Sequence, residues 1–215
     1  MATRYFGVAM KRREDPRFIT GRGTYVDDLT LPGLVYAAMV RSPHAHARIR
    51  AIHKEKALQH PGVIAVFTGK DMVDSGVKSL PCGWLLPGMK LPPHYPMAVD
   101  KVRHMGEIVA VVIAEDRYTA EDAAELVEVE YEPLPAVADG AKALQPGAPA
   151  VHDEAPDNVC FRWSIGDREK TDEAFRRAHR TVKVELVNQR LIPNAIEPRA
   201  AMAQYNPCLL YTSDA

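Results

Sequence analysis

His44 and His46, in the string SPHAHAR, are the pair in this sequence whose type and spacing come nearest to a metal site. At i, i+2 on a strand both imidazoles would leave the same face, as two ligands must. A site needs a third ligand, and the sequence places none nearby; histidines held by backbone or carboxylate partners are the favoured reading. Glu121, Asp122, Glu125, Glu128 and Glu130 form an acidic run, as do Asp153 and Glu154. Paired carboxylates do acid–base work only where their environments split their pKa values, and on an amphipathic element such residues form the wet face. Gly21-Arg22-Gly23 lacks the third glycine of a dinucleotide loop and runs into Thr24-Tyr25-Val26, so it reads as a turn. Ser42, Ser164 and Ser213 have no G-x-S-x-G context. The stretch Asn188–Arg199 differs from these. It sets amide, guanidinium and carboxylate groups between two apolar segments with neither helical nor alternating order. Buried polar groups must be hydrogen-bonded, so these either satisfy one another or line a pocket.

The elements that would position these groups follow from periodicity. The composition, 47% hydrophobic and 26% charged with a formal net charge of −1, is that of a globular protein with no global field toward nucleic acid. Leu34–Val40 predicts a buried strand. Ala45–Ile52 predicts a second, with Ala45, Ala47, Ile49 and Ala51 on one face and His46, Arg48 and Arg50 on the other. A short helix over Lys54–Gln59 stops before Pro61, and Val63–Phe67 is a β-branched core strand. The prolines between residues 73 and 96 predict an irregular excursion. Ile108–Ala114 is the strongest strand. Asp116 is the expected N-cap of a helix burying Ala120, Ala123, Ala124 and Val127, and a strand over Val127–Tyr131 follows. Prolines and glycines across 133–150 mark a linker. Beyond it a second unit is predicted, with strands at Phe161–Ile165, Val182–Leu186 and Ala200–Tyr205 and a helix at Thr171–His179. The fold class is α+β.

Cys82, Cys160 and Cys208 are odd in number and widely spaced, which argues against a disulfide framework, a zinc site or an iron–sulfur cluster. The N-terminus lacks the apolar core of a secretory signal, and no apolar run approaches the ~20 residues needed to span a bilayer. Cytoplasmic is the expected location.

Several strings taken together carry a resemblance. RREDPRFITGRGTYVDD (Arg12–Asp28), VRSPHAHARI (Val40–Ile49), PGVIAVFTGKD (Pro61–Asp71), GEIVAVVIAEDRYTAEDAAELVEVEYEPLPAV (Gly106–Val137) and NQRLIPNAIEPRAA (Asn188–Ala201) occur in order. They resemble the start of the large subunit of the molybdenum hydroxylases, the xanthine dehydrogenase, aldehyde oxidase and carbon monoxide dehydrogenase group. The resemblance implies a lead-in over 1–19, an α/β hammerhead domain over 20–135, a linker over 136–154 and the start of a first molybdopterin-binding domain over 155–207. It implies molybdenum on a molybdopterin cytosine dinucleotide in the full-length subunit. It also implies an FAD-binding medium subunit and a [2Fe–2S] small subunit as partners, in a dimer of heterotrimers. The activity implied is oxidation of an aldehyde, an N-heterocycle or carbon monoxide with water as the oxygen source.

Gln189, Asn194, Glu197 and Arg199 are then the candidates for supporting groups near the cofactor domain, and no residue is expected to be catalytic or to touch the metal. The family's glycine-rich cofactor segments and its late catalytic glutamate are missing, and residues 208–215 fit the family poorly. The expectation is a fragment with a non-native tail, not catalytic by itself. The alternative is a non-catalytic hammerhead-fold binding or assembly module.

Overall fold

The computed structural model describes residue 7 and residues 9–189, 191–195, 199–206 and 211–214. Cα packing separates the chain into two units, Met1–Gly33 with Arg180–Ala215, and Leu34–His179.

The central unit is built on two antiparallel sheets. The first has order β1-β5-β3, from β1 (Tyr36–Arg41), β3 (Val63–Thr68) and β5 (Ile108–Ala114). The second has order β4-β2-β6, from β2 (Ala47–His53), β4 (Lys101–Val102) and β6 (Glu128–Pro133). Ile108–Ala114 becomes the central strand because nearly every residue is apolar: it pairs on both sides, Val112 with Ala38 and with Val66. Its neighbours are edges covered on one face only. Met39 is 45% exposed, which corrects the reading of Leu34–Val40 as a buried strand; Val63–Phe67 does give Val66 to the core but leaves Phe67 48% exposed.

Helix α4 (Arg117–Glu125) covers the other face. Asp116 caps it as expected, its side chain accepting from Thr119 N at 3.0 Å. Ala120, Ala123 and Val127 are buried and Ala124 half-buried, on the expected stripe. The core is made of small side chains: Ala57, Val66, Ala110, Val112, Ala123 and Val127 form one cluster, and Ala47, Ala98, Val102 and Val109 another. The largest fully buried side chains are valines, so the two sheets and α4 approach closely.

Three short helices were not expected: α1 (Asp15–Ile19), α3 (Gly69–Asp74) and α5 (Gly140–Ala143); α2 (Glu55–Leu58) lies within its predicted span. Thr68 caps α3 by accepting from Asp71 N, while the Asp71 carboxylate accepts from Thr68 N at 2.9 Å, a reciprocal capping box. From Ser75 to Asp100 the chain is irregular, as the prolines predicted.

The predicted linker is an ordered strap. Asn158, in the left-handed region at φ 56°, accepts from Val151 N and donates to the carbonyls of Ala143 and Pro149, each at 3.0 Å. Helix α6 (Arg168–Arg177) begins three residues before its predicted start. Phe161–Ile165 forms no strand. Trp163 instead packs edge-on against Trp84, ring centroids 6.0 Å apart.

In the other unit, Phe18 stacks on Tyr25 at 6.1 Å, and β7 (Ala203–Asn206) pairs with β8 (Tyr211–Asp214). Val182–Leu186 alternates as a strand should but has no strand assignment; a strand needs a hydrogen-bonding neighbour, and none pairs with it among the described residues.

Candidate functional site

The SPHAHAR string folds into a structural corner. Strand β2 starts only at Ala47, so the alternation assumed for His44 and His46 does not apply, and Ala45 is exposed while His46 is buried. Ser42 holds the turn: its hydroxyl accepts from His44 N at 3.0 Å, and its carbonyl accepts from Gly106 N at 2.8 Å. The His44 ring lies 4.8 Å from that of Tyr131. Burial pushes the Tyr131 phenol up, an effect partly offset by its hydrogen bond with Ser42. His46 Nδ1 sits 2.7 Å from the Pro135 carbonyl, a pairing that makes Nδ1 the donor. His44 packs on Tyr131 and His46 Nδ1 on Pro135, while the buried His46 Nε2 has no partner, and among the described residues no group of three or more His, Cys, Asp or Glu is placed to hold a metal.

The acidic run lies on exposed faces, as expected, but two of its members sit on β6 and are paired across the sheet edge. Glu128 accepts from Lys56 Nζ at 2.5 Å, and Glu130 is 2.8 Å from His53 Nε2. These are solvent-exposed ion pairs.

The polar candidates of the second stretch are not gathered. Gln189, Asn194 and Arg199 are all exposed and lie in chain without regular structure. Glu197 lies outside the described residues.

The groups that do converge were not singled out by spacing. The loop before β4 is fixed by Ala98 N donating to Ile108 O at 2.7 Å and Ile49 N donating to Asp100 O at 2.9 Å. Strand β4 pairs Val102 with Ala47 and Lys101 with Arg48, and the chain then turns through Arg103–Gly106. Glu107 closes the turn: its Oε2 accepts from Arg103 N at 2.5 Å and lies 3.5 Å from His104 Nδ1.

The strap crosses this turn. Lys101, only 3% exposed, donates its Nζ to both oxygens of Asp153, at 2.9 and 3.1 Å, and holds that carboxyl below the ordinary range. Between strap, turn and the 93–100 loop lies a cavity of about 250 Å³, bordered by His94, Tyr95, Asp100, Arg103, His104, Glu107 and His152. Burial, and after it the Arg103 charge, push the His152 imidazole below its usual range. Arg103 donates Nη1 to the Lys101 carbonyl at 3.0 Å, but its buried Nε has no partner, and neither has the buried His152 Nδ1. The site holds charge and donors without a serine or cysteine nucleophile, which is chemistry for binding. Its signal in the sequence was faint: a Lys-x-Arg-His run and a His-Asp pair some fifty residues apart, with nothing but the fold to join them.

Residues 20–135 match the family model for the aldehyde oxidase and xanthine dehydrogenase a/b hammerhead domain, and residues 151–213 match that for a molybdopterin cofactor-binding domain. The carbon monoxide dehydrogenase large chain of Afipia carboxidovorans is 41% identical over 203 residues, covering 89% of this chain and 24% of that one. The nicotine 6-hydroxylase large subunit of Paenarthrobacter nicotinovorans is 38% identical over 203 residues, covering 93% of this chain and 24% of the relative. Among solved structures, reconstituted CO dehydrogenase from Oligotropha carboxidovorans superposes with a TM-score of 0.68 at 41% identity, over 80% of this chain and 22% of that one. The chain thus spans about a quarter of the length of these relatives. With the two-sheet hammerhead core matched over more than half its residues, the chain belongs to the aldehyde oxidase and xanthine dehydrogenase family.

Proposed function

We propose that this chain is part of the large, molybdenum-carrying subunit of a molybdenum hydroxylase, where it supplies scaffold and not reacting groups. The carrying observation is the pairing of two family matches in order, hammerhead over residues 20–135 and then cofactor domain over 151–213. In this reading residues 20–135 are the hammerhead, 136–154 a connecting strap, and 155–207 the beginning of the cofactor domain.

The whole subunit would be an oxidoreductase acting on carbon monoxide, an aldehyde or an N-heterocycle with water as oxygen source. The names of the relatives, a carbon monoxide dehydrogenase and a nicotine hydroxylase among them, favour the first and last of these. Molybdopterin cytosine dinucleotide would be its cofactor. Electrons would leave to a [2Fe–2S] small subunit and an FAD-binding medium subunit, in a cytoplasmic dimer of heterotrimers. Among the described residues no helix is long and apolar enough to cross a membrane.

The residues described here do not themselves fit a pterin dinucleotide. Gln189, Asn194 and Arg199 are exposed and lie in chain without regular structure, so no catalytic step is assigned to them. With Glu197 they remain the proposed supporting groups of the cofactor domain once the rest of a large subunit packs against them.

The test is metal content and turnover. The subunit expressed with its downstream reading frame and companion subunits should retain molybdenum and reduce an acceptor dye with one of the three substrate classes. Residues 1–215 alone should do neither. A molybdenum centre retained on residues 1–215, or turnover by them unaided, would overturn the assignment.

A further inference from the structure

Four strands form the outer edges of the two sheets, and three of them are guarded. On β3, Lys54 Nζ donates to the Val66 carbonyl at 3.3 Å and to Asp71 at 2.7 Å, and α2 packs alongside. Strand β6 sets Glu128, Glu130 and Glu132 along its length and ends on Pro133. Strand β4 is two residues long and is tied to the strap through Lys101 and Asp153. Charge, proline and brevity are devices that stop a sheet edge from adding another strand. Strand β1 has none of them. It runs six residues, Tyr36-Ala37-Ala38-Met39-Val40-Arg41, and among the described residues it pairs with β5 alone. Its one charge, Arg41, donates to the Gly106 carbonyl at 2.9 Å. Half of an edge strand's N–H and C=O groups face away from its neighbour, so β1 offers a row of donors and acceptors to a further strand.

We propose that β1 is a dimerisation edge, pairing antiparallel with β1 of a second copy of this chain. Residues directly opposite in such a ladder share a face, so a self-paired strand must centre on one residue. Centred on Ala38, the ladder sets Ala37 against Met39 and Tyr36 against Val40; centred on Met39, it sets Ala37 against Arg41 and Ala38 against Val40. Neither register opposes like charges. The same operation on β6, centred on Glu130 or on Tyr131, sets glutamate against glutamate. The β1 edge thus fits its own copy where the acidic edge does not. The new bonds lie in the plane of the sheet, so α4 keeps the face it already covers. A six-residue ladder buries little area, so the dimer is weak and forms as concentration rises. The inference concerns these 215 residues and stands apart from the large-subunit reading.

The experiment is disulfide trapping in the 215-residue chain carrying Cys82→Ser, Cys160→Ser and Cys208→Ser. Ala38→Cys and Met39→Cys stand at the two centres of symmetry, and Phe67→Cys, on the exposed face of the same sheet, is the control. With oxidised glutathione, Ala38→Cys or Met39→Cys is expected to cross-link as a dimer well before Phe67→Cys. Sedimentation of the unmodified chain should show a monomer–dimer equilibrium, its dissociation constant raised about tenfold or more by Met39→Lys. Equal or faster trapping by Phe67→Cys would mean that copies meet through the sheet face, and the proposal falls. A monomer at every concentration, or association untouched by Met39→Lys, would overturn it too. Should a variant lose its fold by circular dichroism, amide exchange of the unmodified chain decides. The amides of Ala37–Val40 should slow as concentration rises, and exchange independent of concentration rules the pairing out.

Discussion

Single residues carry much of the fold's specificity because its core is thin. Gly69 opens α3 where the chain passes the Ala98 carbonyl; a Cβ there would stand 2.0 Å from that oxygen, far inside contact distance. Gly69→Ala should therefore cost about 1–3 kcal/mol in urea unfolding through forced backbone shift. Gly83→Ala, where nothing lies within 4 Å, should be close to neutral. Asn158 is the comparable residue of the strap. It satisfies three backbone groups from a left-handed backbone. Asn158→Ala loses all three bonds and keeps the strained φ, so a loss of about 1–3 kcal/mol is expected by the same measurement. Asn158→Gly should relieve the strain while still losing the bonds.

Elements are held together by charged pairs of very different worth. On the β2–β6 edge, the hydrogen bond that His53 Nε2 donates to the Glu130 carboxylate raises the pKa of His53 above its ordinary 6.5. A raised pKa binds the proton more tightly in the folded state. The pair therefore stabilises fully below the ordinary value, and its contribution is lost as pH rises through the raised one. His53 is solvent-exposed, so the change should be small but directional: the urea midpoint falls between about pH 5.5 and pH 8, and Glu130→Gln removes that part of the fall. Lys101 is a different case, a buried ammonium whose partner Asp153 reaches in from the strap. Lys101→Met keeps the apolar stem and removes the tether. We expect the sheets to persist by circular dichroism while a glutamyl endopeptidase cuts faster after Glu154. An unchanged cleavage rate would show that the Lys101–Asp153 pair does not hold the strap.

At the scale of the whole molecule, the first sheet covers only one face. Met39 and Phe67 both lie opposite Val111, and Ile64 is 55% exposed beside them, so the uncovered face is apolar. Phe161, Trp163 and Phe175 are also exposed in this unit, at 49%, 57% and 63%. Surfaces of this kind drive association. The purified chain should self-associate in sedimentation velocity as concentration rises. Phe67→Ser should reduce that association with little change in urea midpoint, because the residue is already half in water. If Phe67→Ser instead unfolds the chain, the face is packed in solution and this reading fails.

Local order was written in the sequence wherever one residue's neighbours along the chain decided its environment. Asp116 as a cap, the alanine stripe of α4, the apolar run of β5 and the proline-rich excursion after Ser75 all follow from spacing and side-chain chemistry alone. The cap of α3 was legible too, since Thr68 and Asp71 stand at capping-box distance, but the short helix behind it lay beneath the stronger strand signal. The ordered resemblance of several strings identified the family, which no single motif could. What the chain alone could not decide was pairing at long range. Val182–Leu186 has the alternation of a strand yet no partner, His44 and His46 precede the strand that would have aligned them, and Arg103 meets His152 only because the strap folds back. Periodicity reports which face of an element is apolar; which groups then share a cavity depends on how sheets and loops close in three dimensions, and that information resides in contacts between residues far apart in sequence.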